Sequence, residues 1–422
     1  MQAVAGASPN HVVTVASAAV AGKARPPSAI QCRLLVLTEL FLPTKGGTAV
    51  WFDEVYRRIG GRAIHIITAD VPGAAAHDAG HPNTIHRVDL RRHVWLRPES
   101  LLMYGKLIAV ALGTAVRHRF DAVHAGRVLP EGLVALVVSR LLRRPMIVYA
   151  HGEELTTWRQ RAKRRAMVLT YRHADLVIAN SPFTRDELLK VGVGESKIAL
   201  LNPGVDVDRF RPDLPCTDLR ERVLVKRGQR LIVSVGRLSR RKGFDQVVRC
   251  LPGLLQAGVD VHYAVIGIGE DLDYLSALAR DLDVAARVNF LGDVAPQDLQ
   301  RWYNAADVVA MPNREINGDT EGFGMVFIEA AACGKPTVAG MAGGTGAAVI
   351  DGVTGLRVDG ASVDAVREAL HRLLAHPELA NRLGRQGCAR ANADFSWQRV
   401  AERTMALHAK LMPPSPGDVK QE

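Results

Sequence analysis

The chain has 422 residues, 48% of them hydrophobic and 21 of them proline, which is too long for one ordinary core and too apolar for a disordered protein. Its formal net charge is +11, and the excess is local: between Arg87 and Arg172 stand 17 Lys or Arg against 6 Asp or Glu, a net +11 that leaves the rest of the chain neutral. Five cysteines, at 32, 216, 250, 333 and 388, make no CxxC and no Cys/His cluster, which excludes a zinc signature and a disulfide framework and favours a reducing compartment; no apolar run approaches the ~20 residues of a membrane span.

The opening stretch, residues 1–30, is rich in small residues and lacks the basic start and apolar centre of a signal peptide. It reads as a flexible extension. "RLLVLTELFLP" (33–43) then supplies a buried parallel strand, Gly46 and Gly47 a tight turn, residues 48–59 a helix stopped by two glycines, and "AIHIITAD" (63–70) a second strand. Strand, glycine loop, helix, strand is the unit of a doubly wound sheet. Further strands are expected at 122–126, 146–152 and 176–181, with "GLVALVVSRLLRR" (132–144) as a helix between them.

A turn-rich exit at 198–213 marks the expected boundary, giving a first α/β domain over 31–210 and a second over 211–395. In the second, apolar runs at 230–238, 261–269, 288–294, 307–313, 336–340 and 355–359 alternate with helical stretches, and no internal repeat is evident. Residues 396–411 form an amphipathic last helix, and residues 412–422 a flexible tail.

In doubly wound domains ligands bind beyond the carboxyl ends of the strands. The loop at 45–47 precedes a helix whose free N–H groups suit an oxyanion, but it is neither GxGxxG nor GxxxxGK[ST]. "GRLSRRKG" (236–243) places Arg237 and Lys242 around a turn at a strand end, where a guanidinium fork and an ammonium can hold phosphate; Arg240 and Arg241 either join them or are merely exposed. "TEGFGMVFIEAAACGKP" (320–336) sets Glu321 before a helix start and Glu329 inside an apolar helix, where an acid must find a donor such as a ribose diol or an internal partner. Gly322 and Gly324 permit close backbone approach to a ligand. His151, in "YAHGEE", stands just past a strand, as a structural histidine or a ligand contact.

Taken in order, "LPTKGG", "AHGEE", "NSPFTRDEL", "NPGVDVDRFRP", "VGRLSRRKGFD" and "EGFGMVFIEAAACGKPTVAG" resemble the retaining GT-B glycosyltransferases of family 4, over residues 34–400. The resemblance implies a GT-B fold, two Rossmann-like domains facing across a cleft, the first on the acceptor side and the second binding the donor, with the last helix crossing back to the first. It further implies that Arg237 and Lys242 grip the donor diphosphate and that Glu329 holds the ribose. Glu321 would touch hydroxyls of the donor sugar, Gly322, Phe323 and Gly324 would line sugar and phosphates, Gly46 and Gly47 would approach the diphosphate, and His151 would contact the transferred sugar. No metal or other cofactor is expected, because protein cations and helix ends neutralise the leaving group.

Within the family the wording is most similar to mannosyltransferases acting on phosphatidylinositol or related lipid-linked acceptors, which implies GDP-mannose as donor and a glycolipid or glycan acceptor. A UDP-sugar enzyme with a soluble or polysaccharide acceptor is the alternative. A non-enzymatic membrane or nucleic-acid binder is a third reading, disfavoured by the intact Arg237, Lys242, Glu321 and Glu329 and by the absence of a nucleic-acid motif. The basic segments 86–110 and 158–173 mix cations with Trp95, Leu96, Leu101, Leu102 and Tyr104, a pattern suited to an anionic membrane surface and hence to a cytoplasmic enzyme at the inner face of the plasma membrane.

Overall fold

The computed structural model describes residues 32–91 and 101–411. The expected extension (1–30), the tail (412–422) and Trp95 and Leu96 lie outside the described residues.

Two parallel sheets account for the chain. The first has seven strands, β1 Leu34–Leu37, β2 Ile64–Ala69, β3 Thr84–Val88, β4 Ala122–Ala125, β5 Met146–Ala150, β6 Leu176–Ala179 and β7 Ile198–Leu200, in the order β3-β2-β1-β4-β5-β6-β7. The second has six, β8 Arg230–Val235, β9 Val261–Ile266, β10 Val288–Gly292, β11 Val308–Met311, β12 Thr337–Gly340 and β13 Leu356–Val358, in the order β10-β9-β8-β11-β12-β13. Both orders reverse direction at one place, between β1 and β4 and between β8 and β11. At such a switch point neighbouring loops leave toward opposite faces and open a crevice.

The central strands suit a parallel sheet because they are apolar on both faces. Leu34 and Val36 pack in one cluster with Trp51 and Val55, whereas Leu35 and Leu37 pack on the other face with Val123 and Val134. Register is in step at the first switch point, with Leu34 opposite Ala122 and Leu37 opposite Ala125. The edge strand β3, whose sequence TIHRV is half polar, is partly exposed at every residue, so no apolar run marks it in the sequence.

The last helix, Trp397–Ala409, crosses to the first lobe and packs on the helix Gly47–Ile59. Ser396 caps it by accepting from the Arg399 N–H. Trp397, 3% exposed, joins Val400 and Ala401 in the cluster that holds Trp51 and Val55. Trp397→Ala is expected to cost about 3–5 kcal/mol, read as a lower midpoint in urea for the first lobe; an unchanged midpoint would show that the crossing helix is not tied down by this residue.

Candidate active site

Both switch points open onto one cavity of about 370 Å³ between the lobes. Its lining comes from the carboxyl ends of the central strands: Leu40 and Gly47 after β1, Arg127 after β4, His151 after β5 and Asn180 after β6 on one side. Arg241 and Lys242 after β8 and residues 320–326 after β11 form the other side.

Two helix starts face each other across it. The helix Gly47–Ile59 begins at Gly46 and the helix Met325–Ala332 at Gly324, and neither has a side-chain cap. Their first N–H groups are therefore free, and Gly47, Thr48, Met325 and Val326 all line the cavity. The approach is close: a Cβ on Gly47 would lie 2.6 Å from the Met325 Sδ. Gly324, at φ 90°, holds a left-handed turn that a side chain would strain, and a Cβ on Gly322 would strike the carbonyl oxygen of His151.

Charge is concentrated on one acid. Glu321, its side chain 13% exposed, accepts from Lys242 Nζ and, at 3.1 Å, from Arg241 Nη1. Arg241 also meets Asp319 at 3.1 Å. Burial would raise the Glu321 carboxyl, but the two cations outweigh it and hold the group below the ordinary carboxylate value. Glu329 behaves oppositely. Burial pushes its carboxyl up, only partly countered by the Tyr303 hydroxyl, which donates to Oε2 at 2.7 Å.

His151 is fixed by four contacts. Its Nε2 donates to the Gly126 carbonyl at 2.9 Å. Its ring stands edge-on to Trp51 at 5.9 Å and to Phe52 at 6.2 Å. Its backbone N–H donates to Glu154, whose same oxygen also accepts from the Tyr171 hydroxyl at 2.6 Å.

Of the residues singled out in the sequence, His151, Gly47, Lys242, Glu321, Gly322, Phe323 and Gly324 line the cavity together. Gly46, Arg237 and Glu329 are not in its lining. Gly46 caps the helix that begins there, Glu329 stays partly exposed on Tyr303, and Arg237, 76% exposed, points to Glu270 at 3.2 Å. Arg241, which sequence reading left open, is the guanidinium in the cavity wall, beside Arg127, Trp51, Trp158 and Asn180. Asn180 falls inside the "NSPFTRDEL" motif, so the signal was present without a role; Arg127 carries no motif at all.

Among the described residues one group has the spacing of a metal site. Asp53 Oδ1 lies 2.8 Å from His77 Nε2 and 3.2 Å from His81 Nε2. The Asn83 N–H donates to His81 Nδ1, so the neutral His81 ring carries its proton on Nε2 and has no lone pair there for an ion. None of the three lines the cavity, and Arg57, 3.3 Å from Asp53 Oδ2, supplies a balancing charge. The group is an ion-paired carboxylate on the buried face of the helix Gly47–Ile59.

The comparisons agree with this architecture. Residues 45–209 match the family described as Glycosyltransferase Family 4 and residues 217–390 the family described as Glycosyl transferases group 1. The chain is 32% identical over 381 residues, 89% of its own length and 97% of the relative's, to the GDP-mannose-dependent alpha-(1-6)-phosphatidylinositol monomannoside mannosyltransferase of Mycolicibacterium smegmatis. It is 32% identical over 378 residues to the enzyme of the same description from Mycobacterium tuberculosis H37Rv, covering 88% of this chain and 96% of that one. Among solved structures, Anabaena HepE in complex with UDP and glucose superposes with a TM-score of 0.75 at 21% identity, over 90% of this chain and all of that one. The chain belongs to the family 4 glycosyltransferases of the GT-B fold, enzymes that move a sugar from a nucleotide-sugar donor to an acceptor.

The two glutamates give opposite pH signatures. Glu321, held low in the folded state, stabilises the protein above the ordinary carboxylate value of about 4.3 and loses that contribution as pH falls through its folded value. Glu329, held high, costs stability as pH rises from the ordinary carboxylate value toward its raised folded value. Urea midpoints from pH 3 to 7 are expected to show Glu321→Gln below wild type at pH 7 with the gap closing in acid, and Glu329→Gln gaining on wild type as pH rises. Parallel curves for both variants would contradict the assignment of their environments.

Proposed function

We propose that the protein is a retaining mannosyltransferase that moves mannose from GDP-mannose to a hydroxyl of a phosphoinositol-containing glycolipid. The observation that carries this reading is the convergence of two uncapped helix starts with Lys242 and Arg241 on one cavity at both switch points. Such a place suits a diphosphate whose charge grows as it leaves. The donor and acceptor rest on the relatives' printed activities, at 32% identity over nearly their whole length.

In this reading the phosphate oxygens take over Lys242 and Arg241, and Glu321, released from them, turns to hydroxyls of the sugar. The N–H groups of Gly47, Thr48, Met325 and Val326 complete the cradle, with the backbone of Gly322, Phe323 and Gly324 along the sugar. Glu329 takes the ribose hydroxyls, and Gly46 sets the approach of the first helix. Arg237 joins the diphosphate by leaving Glu270, an exposed pair that screening makes weak. His151 Nδ1 accepts from a hydroxyl of the transferred mannose. The acceptor hydroxyl enters on the face that the diphosphate leaves, which retains configuration, and protein cations do the work of a metal.

A thermal-shift series tests the donor, because a ligand bound to the folded state alone raises stability by about 2.7 kcal/mol at a hundredfold excess over Kd. GDP and GDP-mannose are expected to raise the midpoint and UDP-glucose not to; a shift with UDP-glucose alone would overturn the assignment of the base. Lys242→Ala is expected to lower kcat/KM about 10²–10³-fold, the scale of losing one preorganised donor, whereas wild-type turnover in that variant would remove Lys242 from the site.

The acceptor side supports a membrane-surface setting. The helices Leu101–Arg117, Leu133–Leu142 and Arg161–His173 pack side by side on the first lobe. They expose Leu101, Leu141 and Leu169 among cations that include Arg140, Arg164 and Arg165. No helix among the described residues is long and apolar enough to cross a membrane, so attachment in this reading is peripheral, at the inner face of the plasma membrane. Sedimentation with phosphatidylinositol-containing vesicles is expected to pull down the full chain, and Arg164→Glu/Arg165→Glu to weaken this severalfold; equal recovery with neutral vesicles would contradict it.

A further inference from the structure

A second basic recess lies at the opposite end of the first sheet. Parallel strands all aim their carboxyl ends at the cleft, so the residues that open β1, β2 and β3 gather at the far edge. Strands of four to six residues separate the two edges by roughly 13–20 Å. Arg33, just before β1, and Arg62, just before β2, meet Arg117 and Arg119 at the end of the helix Leu101–Arg117. The recess measures about 580 Å³.

Histidines form its inner wall. His65 is 5% exposed, its Nδ1 is 3.0 Å from His86 Nε2, and its ring centre is 4.2 Å from that of His118. Burial, followed by His118 and His86, brings His65 down to about 4.

Among the described residues no Asp or Glu lines this recess. The carboxylate beside it, Asp121, is already committed to Arg33, at 2.6 Å from Nη2 and 3.2 Å from Nε, and to the Arg33 N–H at 3.1 Å. Arg62 reaches the Asn83 carbonyl at 3.4 Å. The side chains of Arg117 and Arg119 have no hydrogen-bond or ion-pair partner among the described residues. A helix carboxyl end attracts cations in its last turn, which accounts for Arg117 but not for Arg33 and Arg62, brought from two strand starts to the same recess.

We propose that this recess binds a phosphate-bearing anion, either a soluble phosphorylated small molecule or a phosphorylated headgroup, at a site separate from the donor cleft. Guanidinium forks match phosphate oxygens bidentately. The volume admits a phosphate together with the group that carries it. The bound charge offsets the crowding of four arginines that one paired carboxylate leaves unbalanced. Burial favours the neutral rings of His65 and His86, so the guanidinium groups carry the charge that meets the anion.

The test is calorimetry on the full chain with inorganic pyrophosphate at pH 6.5, on wild type, Arg117→Ala/Arg119→Ala and Lys242→Ala. Both arginines are exposed, so the double variant is expected to melt as wild type does. It should lose at least tenfold in one class of pyrophosphate site, which Lys242→Ala retains. Sedimentation with vesicles carrying phosphatidylinositol 4-phosphate separates the sources: binding that the double variant abolishes assigns a headgroup, and pyrophosphate binding without vesicle binding assigns a soluble ligand. Pyrophosphate and vesicle binding both unchanged in the double variant would overturn the proposal and leave the donor-site reading untouched.

Discussion

The Glu321 carboxylate, clasped by Lys242 and Arg241, is the interaction on which the rest of the site depends. An acid this enclosed is costly unless paired, and removing one partner of such a pair leaves an uncompensated charge. The clasp ties the loop after β11 to the loop after β8, across the switch point of the second sheet. That tie sets Gly322 against the His151 carbonyl and the start of the helix Met325–Ala332 against Gly47. A site for an anionic ligand is thus held in shape by an anion of the protein's own, on the same cations.

Two α/β lobes make this arrangement possible in a way one lobe cannot. A single switch point offers one helix start; here two converge, and the oriented N–H groups cost no reorganisation as charge develops. The lobes also meet through polar ties near the surface, Lys45 with Asp293 and Arg159 with the Asn317 carbonyl at 3.4 Å. Exposed ties of this kind are weak and are compatible with opening for substrate and closing to exclude water.

Much of the fold was legible because buried parallel strands write themselves as apolar runs. LLVL at 34–37 and VVAM at 308–311 are buried throughout, and both were read as strands. What escaped was marginal by the same logic: β3 is an edge strand, and the helix Thr217–Arg222 (TDLRER) is six mostly charged residues that carry no apolar period. In the site, backbone-defined features were legible, since glycine spacing reports where a helix starts and where a chain comes close. Side-chain direction was not. "RLSRRK" holds four cations of equal charge, and only the turn of the chain decides that Arg241 and Lys242 face the cavity while Arg237 lies out on Glu270. Arg127 was invisible because one of its two acidic partners, Glu39, comes from the separate loop after β1, and its pairing with Glu131 four residues on matches no motif.

The most direct measurement is a crystal structure of the chain with GDP. The account predicts the β-phosphate between the two helix starts, within hydrogen-bond reach of the Gly47 N–H and Lys242 Nζ, with Glu321 displaced from Lys242. A nucleotide seated elsewhere, or bound with the Glu321–Lys242 pair intact and no phosphate at Gly47, would contradict it.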